Sequence, residues 1–186
     1  VTAADILSDA DDHMGLAVEY AKEEFAAIRT GRAHPAMFAK INAEYYGAYT
    51  PLQQLASFQV PEARMVLITP YDRGSLPAIE KAIRDSDLGV SPSNDGNTIR
   101  LVLPELTEQR RKEYIKLART KAEDARISIR GARRTAKDAL DKLVKDKEAG
   151  EDEVTRAEKQ LDAATKKYVD QVDDVLKHKE SELLEV

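Results

Sequence analysis

The sequence predicts an α+β protein: a long antiparallel three-helix bundle with a small β/α/β domain inserted between its first and second helices. Three observations lead there. Apolar residues recur at spacings of three and four near the start of the chain and through most of its second half. All 7 prolines lie between residues 31 and 104. Short β-prone runs punctuate that same proline-rich stretch. At 186 residues, 42% hydrophobic and 34% charged, the chain is long enough to bury a core and has the composition of a soluble, helix-rich protein.

The first helix is expected over residues 4–29, where Leu7, Ala10, Met14, Ala17, Ala21, Phe25 and Ile28 make one buried stripe. Pro35 stops it. Residues 31–104 then read as the inserted domain. Its strands are expected in FAKINAEYY (38–46), RMVLITPY (64–71) and TIRLVLP (98–104). One helix fits 75–84, with Ser75 at the N-cap and Pro77 in the first turn. SNDG (93–96) is a turn before the last strand. The adjacent tyrosines of EYYG (44–47) are expected to point one inward and one outward, with strand packing favoured over base stacking.

The bundle resumes over 105–186, so that residues 1–30 and 105–186 form one domain and 31–104 the other. The second helix, over 107–147, carries Ala118, Ala122, Ala125, Ile129, Ala132, Ala136, Ala139 and Leu143. Fours alternating with threes make a heptad seam, and its alanines call for close helix approach. The third helix, over 152–184, carries Val154, Ala157, Leu161, Ala164, Tyr168, Val172 and Val175. Gly150 suits a left-handed C-cap between them. The chain crosses between domains twice, at RTGRAHP (29–35) and LPEL (103–106). These crossings read either as a hinge, built on Gly31, Arg32, Pro35, Leu103 and Pro104, or as ordinary helix ends.

The net charge of -5 conceals a division. Residues 110–147 hold 14 Lys and Arg against 6 Asp and Glu, and the rest of the chain is acidic. At about 100° per residue, Lys112, Arg119, Arg126, Arg130, Arg133 and Lys137 fall in one sector of roughly 60°, a quarter turn from the heptad seam. Arginine at its centre suits bidentate phosphate contacts. The alternative is a solvated face with carboxylate partners such as Glu123, Asp124 and Asp138. Gly131 within this cluster costs about 1 kcal/mol against alanine. It reads either as room for an RNA backbone or as drift.

Catalytic chemistry is missing from the sequence. There is no cysteine, so disulfides, thiol catalysis and Cys-ligated zinc are excluded. His13, His34 and His178 lie in separate segments without ligand spacing and read as surface residues. No phosphate loop, nucleophile elbow or zinc-protease motif occurs. No apolar run approaches the roughly 20 residues of a membrane span. The acidic opening VTAADILSDADDHMG has neither a signal-peptide nor a transit-peptide layout, which favours the cytoplasm. At this level a helical protein scaffold and an unrecognised carboxylate enzyme stand as alternatives, though no pair of acids is spaced for catalysis.

IRTGRA (28–33), EYYG with TPLQQLAS (44–57), SDLG (86–89), DGNTIRLVLPELTEQRRKE (95–113) and RGARR (130–134) resemble the signature blocks of bacterial ribosome recycling factors. The resemblance runs nearly end to end. It implies an L-shaped, two-domain molecule with the dimensions of transfer RNA. It also implies a monomer with no active site and no cofactor, which binds ribosomal RNA of the large subunit across the A and P sites. Elongation factor G, consuming GTP, would act with it to split the subunits while the short domain swings. The family's RNA-contacting arginines match Arg130 and Arg133, with Arg110 and Arg29 as further matches. Arg126, Arg119 and Lys137 extend the same face. Gly131 stands where the family commonly has asparagine, and His34 where a smaller polar residue is usual.

Overall fold

The computed structural model describes residues 1–185. Its elements in chain order are α1 (Ala3–Ala26), β1 (Asn42–Tyr45), β2 (Ala48–Pro51), the single turn α2 (Leu52–Leu55) and β3 (Ala56–Glu62). There follow β4 (Met65–Pro70), α3 (Leu76–Arg84), β5 (Ser93–Asn94), β6 (Ile99–Val102), α4 (Glu108–Lys145) and α5 (Glu151–Leu184). The chain divides into two compact units. The first is Val1–Phe25 with Ile115–Ser181, and the second is Ala26–Tyr114 with the chain's end from Glu182.

The first unit is the three-helix bundle. Thr2 opens α1: its hydroxyl accepts from the Asp5 amide at 3.1 Å while the Asp5 carboxylate accepts from the Thr2 amide at 3.0 Å. Thr107 caps α4 in the same way, accepting from the Arg110 amide at 3.1 Å. The buried stripe of α1 comprises Ala3, Ile6, Ala10, Met14, Val18, Ala21 and Phe25. It meets Ala118, Ala122, Ala125, Ile129, Ala136, Leu140 and Leu143 of α4 and Val154, Ala157, Leu161, Tyr168 and Val172 of α5. Tyr168 crosses the core to donate to Asp11 at 2.7 Å.

This differs from the expected seams by part of a turn. Leu7 and Ala17 of α1, Ala132 and Ala139 of α4, and Ala164 and Val175 of α5 are half-buried, while Ile6, Val18 and Leu140 are buried instead. Each helix here has two neighbours, so its buried arc centres between them rather than on one heptad line. Ala132 and Ala139 line a groove beside α1.

Helix α4 ends differently from expectation as well. The left-handed residue is Lys147 (φ 59°), and Gly150 has no positive φ. The Glu148 amide donates to the Leu143 carbonyl at 2.8 Å and the Lys147 amide to Val144 at 3.0 Å, the paired bonds of a Schellman motif. Gly150 instead precedes α5, its carbonyl accepting from the Val154 amide. A lysine at the left-handed position carries a cost of about 1 kcal/mol that glycine avoids. Lys147→Gly is therefore expected to raise the bundle's stability by about 0.5–1 kcal/mol in urea unfolding, net of the added freedom of the unfolded chain.

The second unit holds a four-stranded antiparallel sheet, order β3-β4-β6-β5, and the separate hairpin β1-β2. Alternation places Val66 and Ile68 of β4 and Ile99 and Leu101 of β6 in the core, against Leu76, Ile79 and Ile83 of α3. The sequence reading finds β4, β6 and α3 and misses β2, β3 and β5. Strand β3 is an edge carrying Pro61 and an irregularity between Gln59 and Glu62, so it lacks a clear alternating signal. The expected strand 38–46 is only half strand. Pro35–Phe38 form a 3-10 turn capped by His34, whose Nδ1 accepts from the Ala36 amide at 3.0 Å.

Ser75 is likewise not the N-cap of α3. Its backbone is already helical, its hydroxyl donates to the Asp72 carbonyl, and the Asp72 carboxylate accepts from the Gly74 amide at 2.9 Å. Of the paired tyrosines, Tyr45 is half-buried and donates to Asp72 at 3.1 Å. Tyr46 lies exposed in the hairpin turn with φ 49°, followed by Gly47 at φ 80°. Two successive positive φ values are the signature of the hairpin turn whose twist suits paired strands.

Candidate nucleic-acid interface

Helix α4 has 38 residues and a length of about 57 Å. Arg119, Arg126, Arg130, Arg133 and Lys137 lie on its flank, outside the buried seam, because their positions fall a quarter turn from the alanines. Arg119, Arg130 and Lys137 are exposed, and Arg126 and Arg133 are half-buried.

These side chains are held by carboxylates. Arg119 Nε donates to Glu180 at 2.7 Å and Arg133 Nε to Asp162 at 2.8 Å. Arg126 donates twice to Asp173, from Nε at 2.8 Å and Nη2 at 2.6 Å, and once to Glu123 at 3.1 Å. Arg130 donates to the other oxygen of Glu123 at 3.1 Å. The bonds from Arg130 and then Arg126 hold the Glu123 carboxyl below its ordinary range. Burial pulls the Arg126 pKa down, and Asp173 and Glu123 more than offset it, leaving that guanidinium raised above its ordinary value.

Of the acids weighed from sequence, Glu123 is engaged; Asp162, Asp173 and Glu180 of α5 were missed. A usable signal was present. Reflecting Arg119, Arg126 and Arg133 about the turn at residues 146–150 lands within three residues of Glu180, Asp173 and Asp162, as an antiparallel helix pair requires.

Arg110 and Arg29 belong to the second unit. Arg110 is exposed, 4.0 Å from Glu113. Arg29 is buried and donates to the Pro104 carbonyl. Desolvation lowers its pKa, with the charges of Arg110 and Arg64 acting in the same direction. Among the described residues the Nε atoms of Arg29 and Arg111 have no hydrogen-bond partner. The two chain crossings are tied down in this unit as well: the Ala33 amide donates to Ala63 at 2.6 Å and the Leu103 amide to Arg64 at 2.7 Å.

A row of guanidinium groups on a rigid helix can bind successive phosphates. Among the described residues no group of three or more His, Asp or Glu could hold a metal ion, and no helix is long and apolar enough to cross a membrane.

The profile of the family "Ribosome recycling factor" matches residues 21–184. The chain belongs to the ribosome recycling factor family. It is 69% identical over 180 residues to the ribosome-recycling factor of Streptomyces avermitilis, covering 97% of each chain. To that of Cutibacterium acnes it is 66% identical over 183 residues, covering 98% of this chain and 100% of the relative. Among solved structures it is similar to a ribosome recycling factor in solution, with a TM-score of 0.78 and 41% identity over 99% of this chain and 98% of that one. It is also similar, at a TM-score of 0.70 and 40% identity over all of both chains, to a chain in a structure of the T. thermophilus ribosome recycling factor and E. coli elongation factor G on the E. coli post-termination complex. Ribosome recycling factors are translation factors and not enzymes.

Gly131 leaves the recycling-factor fold undisturbed: α4 is continuous through it, and an added Cβ would meet nothing within 4 Å. Gly131→Ala is therefore expected to stabilise the bundle by about 1 kcal/mol, read as a shift in the urea midpoint at unchanged slope.

Proposed function

We propose that this protein binds the large subunit of the post-termination ribosome across its A and P sites. With elongation factor G and GTP it then splits the subunits for a new round of translation. The observation that carries this reading is the full-length likeness to a recycling factor found together with elongation factor G on the post-termination complex. The flank of α4 supplies the chemistry. Arg133 and Arg130 make the principal contacts to ribosomal RNA, supported by Arg126, Arg119 and Lys137, and Arg110, exposed near the start of α4, makes a separate contact. Arg29, buried against Pro104, braces the two chain crossings in this conformation. The protein acts in the cytoplasm as a monomer, carries no cofactor, and leaves GTP hydrolysis to its partner.

The crossings at 29–35 and 103–106 serve as the hinge about which the inserted domain swings, with Gly31, Arg32, Pro35, Leu103 and Pro104 absorbing the backbone change. Energy transfer between dyes at residues 46 and 158 should report a different distance on the ribosome than in free solution. An unchanged distance throughout recycling would remove the hinge from the account.

Light scattering of post-termination ribosomes tests the function directly. The protein added with elongation factor G and GTP should lower the signal as subunits part, and omission of any one component should abolish the change. Intact ribosomes in the complete mixture would overturn the reading.

A further inference from the structure

Three arginines of the α4 flank are occupied by α5. Arg119, Arg126 and Arg133 lie seven residues apart, about 10.5 Å of helix rise at each step. Their partners Glu180, Asp173 and Asp162 are separated by seven and eleven residues, close to two and three whole turns, so all three carboxylates share one face of α5. The enclosure is graded. The Arg126 side chain is only 19% exposed and holds Asp173 at 2.6 Å, whereas the Arg119 side chain is 66% exposed.

Stability gives a weak reason for the more exposed pairs of this row, because exposed ion pairs contribute little to folding. Binding gives a stronger one. A carboxylate and a phosphate offer a guanidinium the same pair of charged acceptor oxygens. Any RNA reaching this flank must displace or share the carboxylate on each arginine it touches. A loose strand that engages one arginine exchanges one anion for another and gains little. A rigid surface that presents several phosphates together, with additional contacts elsewhere, repays the whole displacement.

We propose that Asp162, Asp173 and Glu180 are specificity-determining residues. They form an internal row of phosphate mimics that keeps Arg133, Arg126 and Arg119 from single-stranded and other nonspecific RNA while permitting the large ribosomal subunit to bind. The proposal rests on the reading of the α4 flank as the RNA face. It assigns the acidic character of α5 to selectivity at that face.

The test compares the wild type, the triple variant Asp162→Asn, Asp173→Asn, Glu180→Gln, and a control triple variant with the same net charge. The control neutralises exposed acids outside the row: Asp152→Asn, Glu153→Gln, Asp174→Asn. Binding to poly(U) and to large ribosomal subunits is measured from about 50 to 200 mM salt. The row variant should bind poly(U) about tenfold more tightly than the control, and its log–log salt slope should steepen by about 2, for three added phosphate contacts on a single strand. Its preference for subunits over poly(U) should fall accordingly. The single variant Asp173→Asn should move the same way by about two- to threefold, and helical circular dichroism confirms that each variant is folded.

Equal poly(U) affinity for the row and control variants would overturn the proposal, because net charge alone would then explain the change. So would an unchanged preference for subunits. The underlying reading fails by a different result: subunit binding that survives loss of both Arg130 and Arg133.

Discussion

Arg130→Ala with Arg133→Ala should lower affinity for large ribosomal subunits about a hundredfold at low salt while leaving the bundle folded. Each guanidinium lost removes a charge-assisted contact to phosphate worth about 1.5 kcal/mol, and two such contacts make about 3 kcal/mol, or roughly two decades. The fold should tolerate the change because both residues lie off the buried seam. Arg130 is exposed and bonded only within its own helix to Glu123, and Arg133 reaches the exposed Asp162. Exposed pairs of this kind contribute at most about 1 kcal/mol each to folding. The substitutions also uncover Asp162 as a free carboxylate beside the RNA and leave Glu123 held by Arg126 alone, which deepens the loss. Co-sedimentation with purified subunits across a salt series reads the effect, together with a shallower salt slope. Undiminished binding would remove these arginines from the interface, and absence of binding by the wild type would return a protein-scaffold role to first place.

Ala125→Glu should unfold the bundle. Ala125 is 3% exposed and sits on the seam of α4 between Ala122 and Ile129. The space there fits a methyl group because the alanines bring the helices close. A glutamate adds four heavy side-chain atoms and a charge. Overpacking costs about 1–3 kcal/mol. An unpaired buried carboxylate costs several kcal/mol more. Against a typical domain stability of about 5–15 kcal/mol, that total is enough to abolish cooperative folding or to leave it marginal. Thermal melting followed by circular dichroism should show the bundle signal lost or its midpoint sharply lowered. Normal melting would show that the seam is misplaced. The contrast with Gly131→Ala, six residues along the same helix but on its open side, isolates burial as the cause.

On the proposed reading of the α4 flank, the same arrangement bears on release of RNA as well as on its binding. Arginines already satisfied by α5 lose little when a phosphate departs, so the carboxylates lower the cost of letting go. A bare basic helix would have no such alternative partner.

Most of the architecture was legible because it is written in local periodicity. Apolar spacings of three and four marked α1, α4 and α5 to within about three residues, and the proline-rich stretch marked the small domain. The basic stripe was legible for the same reason, since six charges recurring on one helical sector need only the pitch of the helix. The inserted domain was read less well. Its edge strands β3 and β5 are defined by their partners β4 and β6 and carry little alternation of their own.

What the tertiary structure decided is which groups meet. It turned the seams so that Leu140 rather than Ala139 is buried, put the left-handed cap on Lys147 rather than Gly150, and buried Arg29 against Pro104. It also set Asp162, Asp173 and Glu180 against the arginines of α4. By itself the sequence determined a helical bundle with a basic flank and an inserted α+β domain, because helix pitch and apolar spacing act over a few neighbouring residues. Whether those arginines are free or occupied depends on side chains 29 to 61 positions away, and only the packing of α5 on α4 brings them within hydrogen-bonding distance.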